Sequence, residues 1–142
     1  MLHQPVFELS HNHTLELLAL YRKQWWSTSR TLEQTEACVE NSALCVGIVN
    51  EEQQLIGFAR VLSDKVFKAL IFDVIVDSDY QGQGISTLIL DCIKTHPSLA
   101  KVQHFELYCL PDMFDFYRKQ GFSNEVSGVQ LMRLANPILD NR

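Results

Sequence analysis

The sequence predicts a mixed α/β domain, and three observations carry that reading. "KALIFDVIV", residues 68–76, is apolar on both faces with a single interruption, the pattern of a strand covered on both sides. "QGQGIS", residues 81–86, then places two glycines within three residues, and apolar side chains recur at helical spacing directly afterwards: Ile85, Leu88, Ile89, Cys92 and Ile93. "HFELYCL", residues 104–110, reads as another strand, so the middle of the chain is a strand–helix–strand unit. At 142 residues, the chain is most simply one domain spanning 1–142.

The remaining elements follow in order. "VFEL", residues 6–9, is a candidate first strand. Leu15, Leu18, Tyr21 and Trp25 recur near helical spacing and predict a helix over 14–26. "TSRTLEQTEACVEN" contains a second helix, with Thr31 as its N-cap and Gln34 completing a capping-box pattern. "ALCVGIV" and "QLIGFARVL" flank a polar stretch and read as two antiparallel strands. The helix that starts at Gly84 ends at "HPSL", because Pro97 disfavours helical geometry at His96. Pro111 opens a short helix, "PDMFDFYRKQ", and Gly121 closes it. "GVQLMRL", residues 128–134, is a last strand, giving the order β-α-α-β-β-β-α-β-α-β.

Composition narrows the partners. Hydrophobic residues make up 46% and charged ones 20%, ordinary for a soluble globular chain, and the net charge is -5. That balance argues against a nucleic-acid surface, which needs clustered Lys and Arg. Apolar stretches fall far short of the roughly 18 residues of a membrane span, and "MLHQPVFELSHNH" has no basic start with an apolar core, so neither a span nor a secretory signal is expected. Cys38, Cys45, Cys92 and Cys109 form no Cys-x-x-Cys pair and read as reduced thiols of a cytoplasmic protein. His11 and His13 are close, but further ligands at metal spacing are lacking, so "HNH" reads as a polar loop.

The glycine turn is the chemical signal. A helix N-terminus exposes unpaired N–H groups and about half a positive charge. Glycines let successive N–H groups converge on one anion, so "QGQGIS" suits a phosphate. A nucleotide P-loop needs a Lys where Ile85 stands, and the dinucleotide fingerprint needs a third Gly that is missing. A plain strand-to-helix turn satisfies the same residues equally well.

"VDSDYQGQGIS", residues 76–86, resembles the coenzyme A signature of the GNAT N-acetyltransferases, Arg/Gln-x-x-Gly-x-Gly/Ala. Gln81, Gly84 and Ser86 fill its fixed places, with the small Ser86 departing from Gly/Ala. "FYRKQGF", residues 116–122, is similar to the family's Tyr-x-x-x-Gly-Phe segment. The likeness runs from about the second strand to the end; before it, the chain resembles the family only in being helical. Leu110, seven residues before Tyr117, stands where many members carry Asn.

The resemblance implies an enzyme with acetyl-CoA bound between two splayed, parallel central strands. A primary amine attacks the thioester while both are bound. Such an amine, with a pKa of about 10, must lose a proton, the carbonyl oxygen gathers negative charge, and the thiolate takes up a proton. Tyr117 matches the family's thiol-protonating tyrosine, and the resemblance favours that role; from its spacing alone, a ring packed in the core with its hydroxyl at the surface suits its place better. The main chain of Val74, Ile75 and Val76 would face the thioester arm, while their side chains read as core. The pyrophosphate would meet Gln81, Gly82, Gln83, Gly84, Ile85, Ser86 and Thr87.

Asp73 is conspicuous on its own, the one charge in an apolar strand, and burial requires a partner or a raised pKa. It could bind or deprotonate the amine, as acidic residues at that place do in related enzymes, or form an ion pair with Arg60. Glu106 could relay a proton or lie exposed, and His104 shares its face. Arg118 and Lys119 read as a solvated helix face. Adjacent Trp25 and Trp26 cannot share one helix face, so one reads as core and the other as lying at a rim or interface, or one could line an acceptor pocket for a flat or cationic amine. The acceptor would be a small-molecule or peptide-like amine, and a homodimer remains open. A non-catalytic acyl-CoA-binding module, or a protein N-acetyltransferase, are the competing readings.

Overall fold

The structure, a computed structural model, describes residues 3–139. The chain divides into two units, one ending at Cys109 and one starting at Leu110. The first holds a five-stranded sheet in the order β1 (Gln4–Val6), β2 (Leu44–Val49), β3 (Leu55–Ser63), β4 (Lys68–Val76) and β5 (His104–Leu107). Neighbours are antiparallel except β4 and β5, which are parallel. Helices α1 (His11–Arg22) and α2 (Leu32–Asn41) precede β2, and α3 (Ile85–Thr95) is the crossover from β4 to β5.

Adjacent residues on β3 show how the sheet is covered, because successive side chains point to opposite faces. Phe58 packs among Leu17, Leu20 and Tyr21 of α1. A Cβ on Gly57 would lie 2.8 Å from Ile85 Cγ2 and 3.3 Å from Ile89 Cδ1 of α3. The bare glycine face lets the first turns of α3 sit directly on the strand.

Several boundaries differ from the sequence-based expectation. β1 lies two residues earlier than "VFEL". "HNH" is no loop: Ser10 caps α1, its Oγ accepting from the His13 N–H while the His13 ring accepts from the Ser10 N–H. At its other end α1 stops at Arg22, where the Ser27 hydroxyl donates to the Tyr21 carbonyl at 2.6 Å. Trp25 and Trp26 therefore fall in the α1–α2 loop rather than on a helix. The capping box of Thr31 and Gln34 forms as the sequence predicts.

Two features of β4 matter for function. Its register with β3 pairs Phe58 with Ile75 but Arg60 with Phe72, so one β3 residue faces two on β4. Asp73 sits in that bulge with φ 57°, a left-handed geometry uncommon outside glycine but tolerated by Asp. Pairing with β5 runs only from Lys68↔His104 to Ile71↔Leu107. Beyond that β5 ends and β4 continues, leaving Phe72–Val76 unpaired on that side among the described residues.

In the second unit a short turn at Pro111–Met113 leads into α4 (Phe114–Lys119). Gly121, at φ 98°, closes it: the Phe122 N–H donates to the Tyr117 carbonyl and the Gly121 N–H to that of Arg118. This is a Schellman ending. Residues 128–134, expected as a last strand, form none. The apolar alternation is there, but a strand also needs a neighbour for its N–H and C=O groups, and among the described residues none pairs with it. Val129, Leu131, Met132 and Leu134 are left exposed.

Candidate active site

β4 delivers the chain to the glycine turn. Asp77 caps the short turn Ser78–Tyr80, and the Gln81 side chain donates to the Val76 carbonyl at 3.0 Å, closing the end of the strand. Gly82 and Gly84 both take φ 77°. A Cβ on either would meet nothing within 4 Å, so backbone conformation, not crowding, selects glycine here, and open space lies above the turn. Among the described residues, the N–H groups of residues 82–86 find no acceptor within the protein. No acidic residue stands in the first turn of α3. Five donors, two left-handed bends and the positive end of a helix dipole make a cradle for a phosphate or diphosphate. His3, which sequence reasoning passed over, meets Gln83 Oε1 at 2.9 Å and packs edge-on against Tyr80.

Asp73 is the centre of a polar cluster. Its Oδ2 accepts from Arg60 Nε at 2.7 Å, from Arg30 Nη1 at 2.9 Å and from the Tyr21 hydroxyl at 2.7 Å. The Asp73 side chain is only 7% exposed. Burial alone would raise its pKa, but the donors from Arg30, Arg60 and Tyr21 outweigh this and hold the carboxyl below the ordinary range. Tyr21 shifts the other way, upward, through burial and the adjacent carboxylate, and stays a neutral donor. Arg30 also lies across the Tyr21 ring, 4.1 Å from its centroid, and 5.3 Å from that of Trp26. Arg60 had been identified from sequence as a partner of Asp73. Tyr21 and Arg30 had not: a tyrosine in an apolar helix stripe signals packing, and nothing around Arg30 in a polar loop marks it as buried.

The other expected residues are placed as follows. Val74, Ile75 and Val76 occupy the part of β4 beyond its pairing with β5, with Ile75 buried in the core. Glu106 pairs with Lys68 at 2.9 Å with both side chains well exposed, and His104 Nδ1 lies 3.2 Å from the same ammonium. Trp25 is 76% exposed and Trp26 38%, so neither is a core residue. Tyr117 is buried, its ring edge-on to Phe116 and Phe122. Arg118 pairs with Asp115 and reaches Asn124 on the exposed side of α4. Among the described residues no group of three His, Cys, Asp or Glu side chains could hold a metal, Cys38, Cys45 and Cys92 are free thiols, and no helix is long and apolar enough to cross a membrane.

Known proteins place this geometry. The family described as acetyltransferase (GNAT) domain matches residues 13–131. An uncharacterised N-acetyltransferase of Pyropia yezoensis is 30% identical over 106 residues, covering 72% of this chain and 61% of that protein. A chloroplastic GCN5-related N-acetyltransferase of Arabidopsis thaliana is 34% identical over 86 residues, covering 61% of this chain and 33% of its own length. The chain thus spans less than two thirds of these relatives. A crystal structure of a Xanthomonas campestris protein, a GNAT-family acetyltransferase by its description, superposes with a TM-score of 0.78 at 25% identity over 96% of both chains. With a parallel β4–β5 pair that parts beside an anion-ready glycine turn, and a family match across most of its length, the chain belongs to the GNAT acetyltransferases.

Proposed function

We propose that this protein transfers an acetyl group from acetyl-CoA to a primary amine, with both substrates bound at once, and that residues 1–142 act as one catalytic domain. The observation that carries the reading is the run of main-chain N–H groups around residues 82–86 that meet no protein acceptor among the described residues, beside the side of β4 that β5 leaves unpaired. When bound, acetyl-CoA supplies the acyl group in the activated form of a thioester. Residues 82–87 hold its diphosphate through main-chain donors, there being no Lys or Arg in the turn. The main chain of Val74, Ile75 and Val76, on the side that no strand pairs among the described residues, orients the arm and offers an N–H to the oxygen that gains charge. The Tyr117 hydroxyl holds the proton that the leaving sulfur takes up, and solvent accepts the proton that the amine loses.

We assign Asp73 to positioning rather than to proton abstraction, since a carboxylate held by two guanidiniums and a phenol is a weak base. No proton transfer is assigned to Glu106, which is neutralised by Lys68 in solvent. Trp25 and Trp26 border the acceptor side. The free thiols of Cys38, Cys45 and Cys92 suit a reducing compartment such as the cytoplasm.

The test pairs calorimetry with a thiol-release assay. Coenzyme A should bind stoichiometrically, and acetyl-CoA with an amine panel should release thiol. Tight binding without turnover on any amine would make the protein an acyl-CoA sensor instead. Absence of binding would remove the reading altogether.

A further inference from the structure

The cluster around Asp73 contains more positive charge than it needs. Arg30 and Arg60 both pair with Asp73, and among the described residues neither has a second carboxylate partner. Two half-buried guanidiniums against one carboxylate leave one cationic charge without a counter-ion among the described residues. Their side chains are 24% and 16% exposed, so water and small solutes reach them. Arg60 uses only Nε on Asp73; among the described residues its two Nη atoms donate to no protein acceptor. The planar fork of an arginine whose outer edge is free fits a carboxylate or phosphate.

Its place in the fold links it to the reaction. Arg60 lies over the Phe72 ring at 5.3 Å, and Phe72 packs edge-on against Tyr108 at 5.6 Å. Phe72 and Tyr108 are the first residues beyond the last β4–β5 pair, Ile71↔Leu107. The contacts therefore run from the point where the two strands part to the free edge of Arg60. Three of the aromatic rings around the cluster already face a cation: Arg30 lies over Tyr21 and faces Trp26, and Arg60 lies over Phe72. A second cation brought here would meet surplus charge of its own sign.

We propose that Arg30 and Arg60 form a subsite for an anionic group on the acceptor, so that the substrate is an amine bearing a carboxylate or phosphate and not a polycation. This rests on the acetyltransferase reading above. Asp73 then has two tasks, holding the arginines in place and leaving their pair one charge in excess.

The test uses one amine in three forms, ethanolamine, serine and O-phosphoethanolamine, with spermidine as the polycation. Each is titrated calorimetrically into the full chain saturated with coenzyme A, and each is assayed for acetylation. Serine or O-phosphoethanolamine should bind at least about tenfold more tightly than ethanolamine, the scale of one charged hydrogen bond in a half-buried site, and whichever does so identifies the anion. Arg60→Gln should erase the difference and Arg60→Lys should keep part of it. Equal binding of all three, preference for spermidine, or no binding of any would overturn the subsite. Selective binding of the acids without turnover would uphold the subsite while removing the transferase reading, so the two fail separately.

Discussion

The Tyr21 hydroxyl donates to Asp73 at 2.7 Å across 52 positions of sequence, and so ties the end of α1 to the bulge in β4. Arg30 and Arg60 converge on the same oxygen, Oδ2. A left-handed aspartate in a strand persists only where its surroundings over-determine it, and these three donors do so.

Asp73→Asn keeps a residue that accepts positive φ but removes the charge. It leaves two guanidiniums uncompensated, and the expected loss is about 3 kcal/mol in urea unfolding at neutral pH. Because the folded pKa of Asp73 is lowered, its contribution is present above the unfolded value of about 3.9 and fades as pH falls through the folded one. The gap between wild type and variant should therefore narrow steadily below about pH 4. A gap that stays constant down to acid denaturation would show that the ion pairs add nothing.

Gly84→Ala isolates the backbone of the turn. The added methyl meets no atom, so only the φ of 77° resists it, at about 1 kcal/mol. Coenzyme A affinity should fall by more than stability does, since the N–H groups lose their aim. Unchanged affinity in calorimetry would separate the turn from the diphosphate.

Tyr117→Phe keeps the ring against Phe116 and Phe122 and removes the hydroxyl. The expected result is a fall in kcat of about 100-fold or more with little change in KM for acetyl-CoA. Equal turnover would take this tyrosine out of the chemistry.

Gly57→Ala probes the seat of α3. Its Cβ would press on Ile85 Cγ2 at 2.8 Å, at the first residue of the helix. Overpacking of this kind costs about 1–3 kcal/mol. Thermal unfolding should show that loss, together with weaker coenzyme A binding, because the displaced residue, Ile85, is itself one of the donors at 82–86. A fully stable variant would mean that the helix shifts without cost.

Much of this was legible in the residues. β4 matches its sequence pattern end to end, and the α2 capping box follows from Thr31 and Gln34 alone, because both depend on local chemistry. The "HNH" start of α1 was missed because a histidine ring took the capping role usually given to Glu or Gln. The stretch 128–134 has the periodicity of a strand without a neighbour to pair with, and pairing is not a local property. For the same reason Asp73 announced that it needed partners while only Arg60 could be guessed; Tyr21 and Arg30 arrive through tertiary folding.

The run after Gly128, which pairs with no strand among the described residues, is a greasy fringe, with Val129, Leu131, Leu134 and Ile138 standing in water. Fringes of this sort make concentrated preparations sticky and salt-sensitive long before the core is in any danger. Met132 is 93% exposed within it. Mild peroxide would convert that thioether to a sulfoxide and leave the fringe more water-loving.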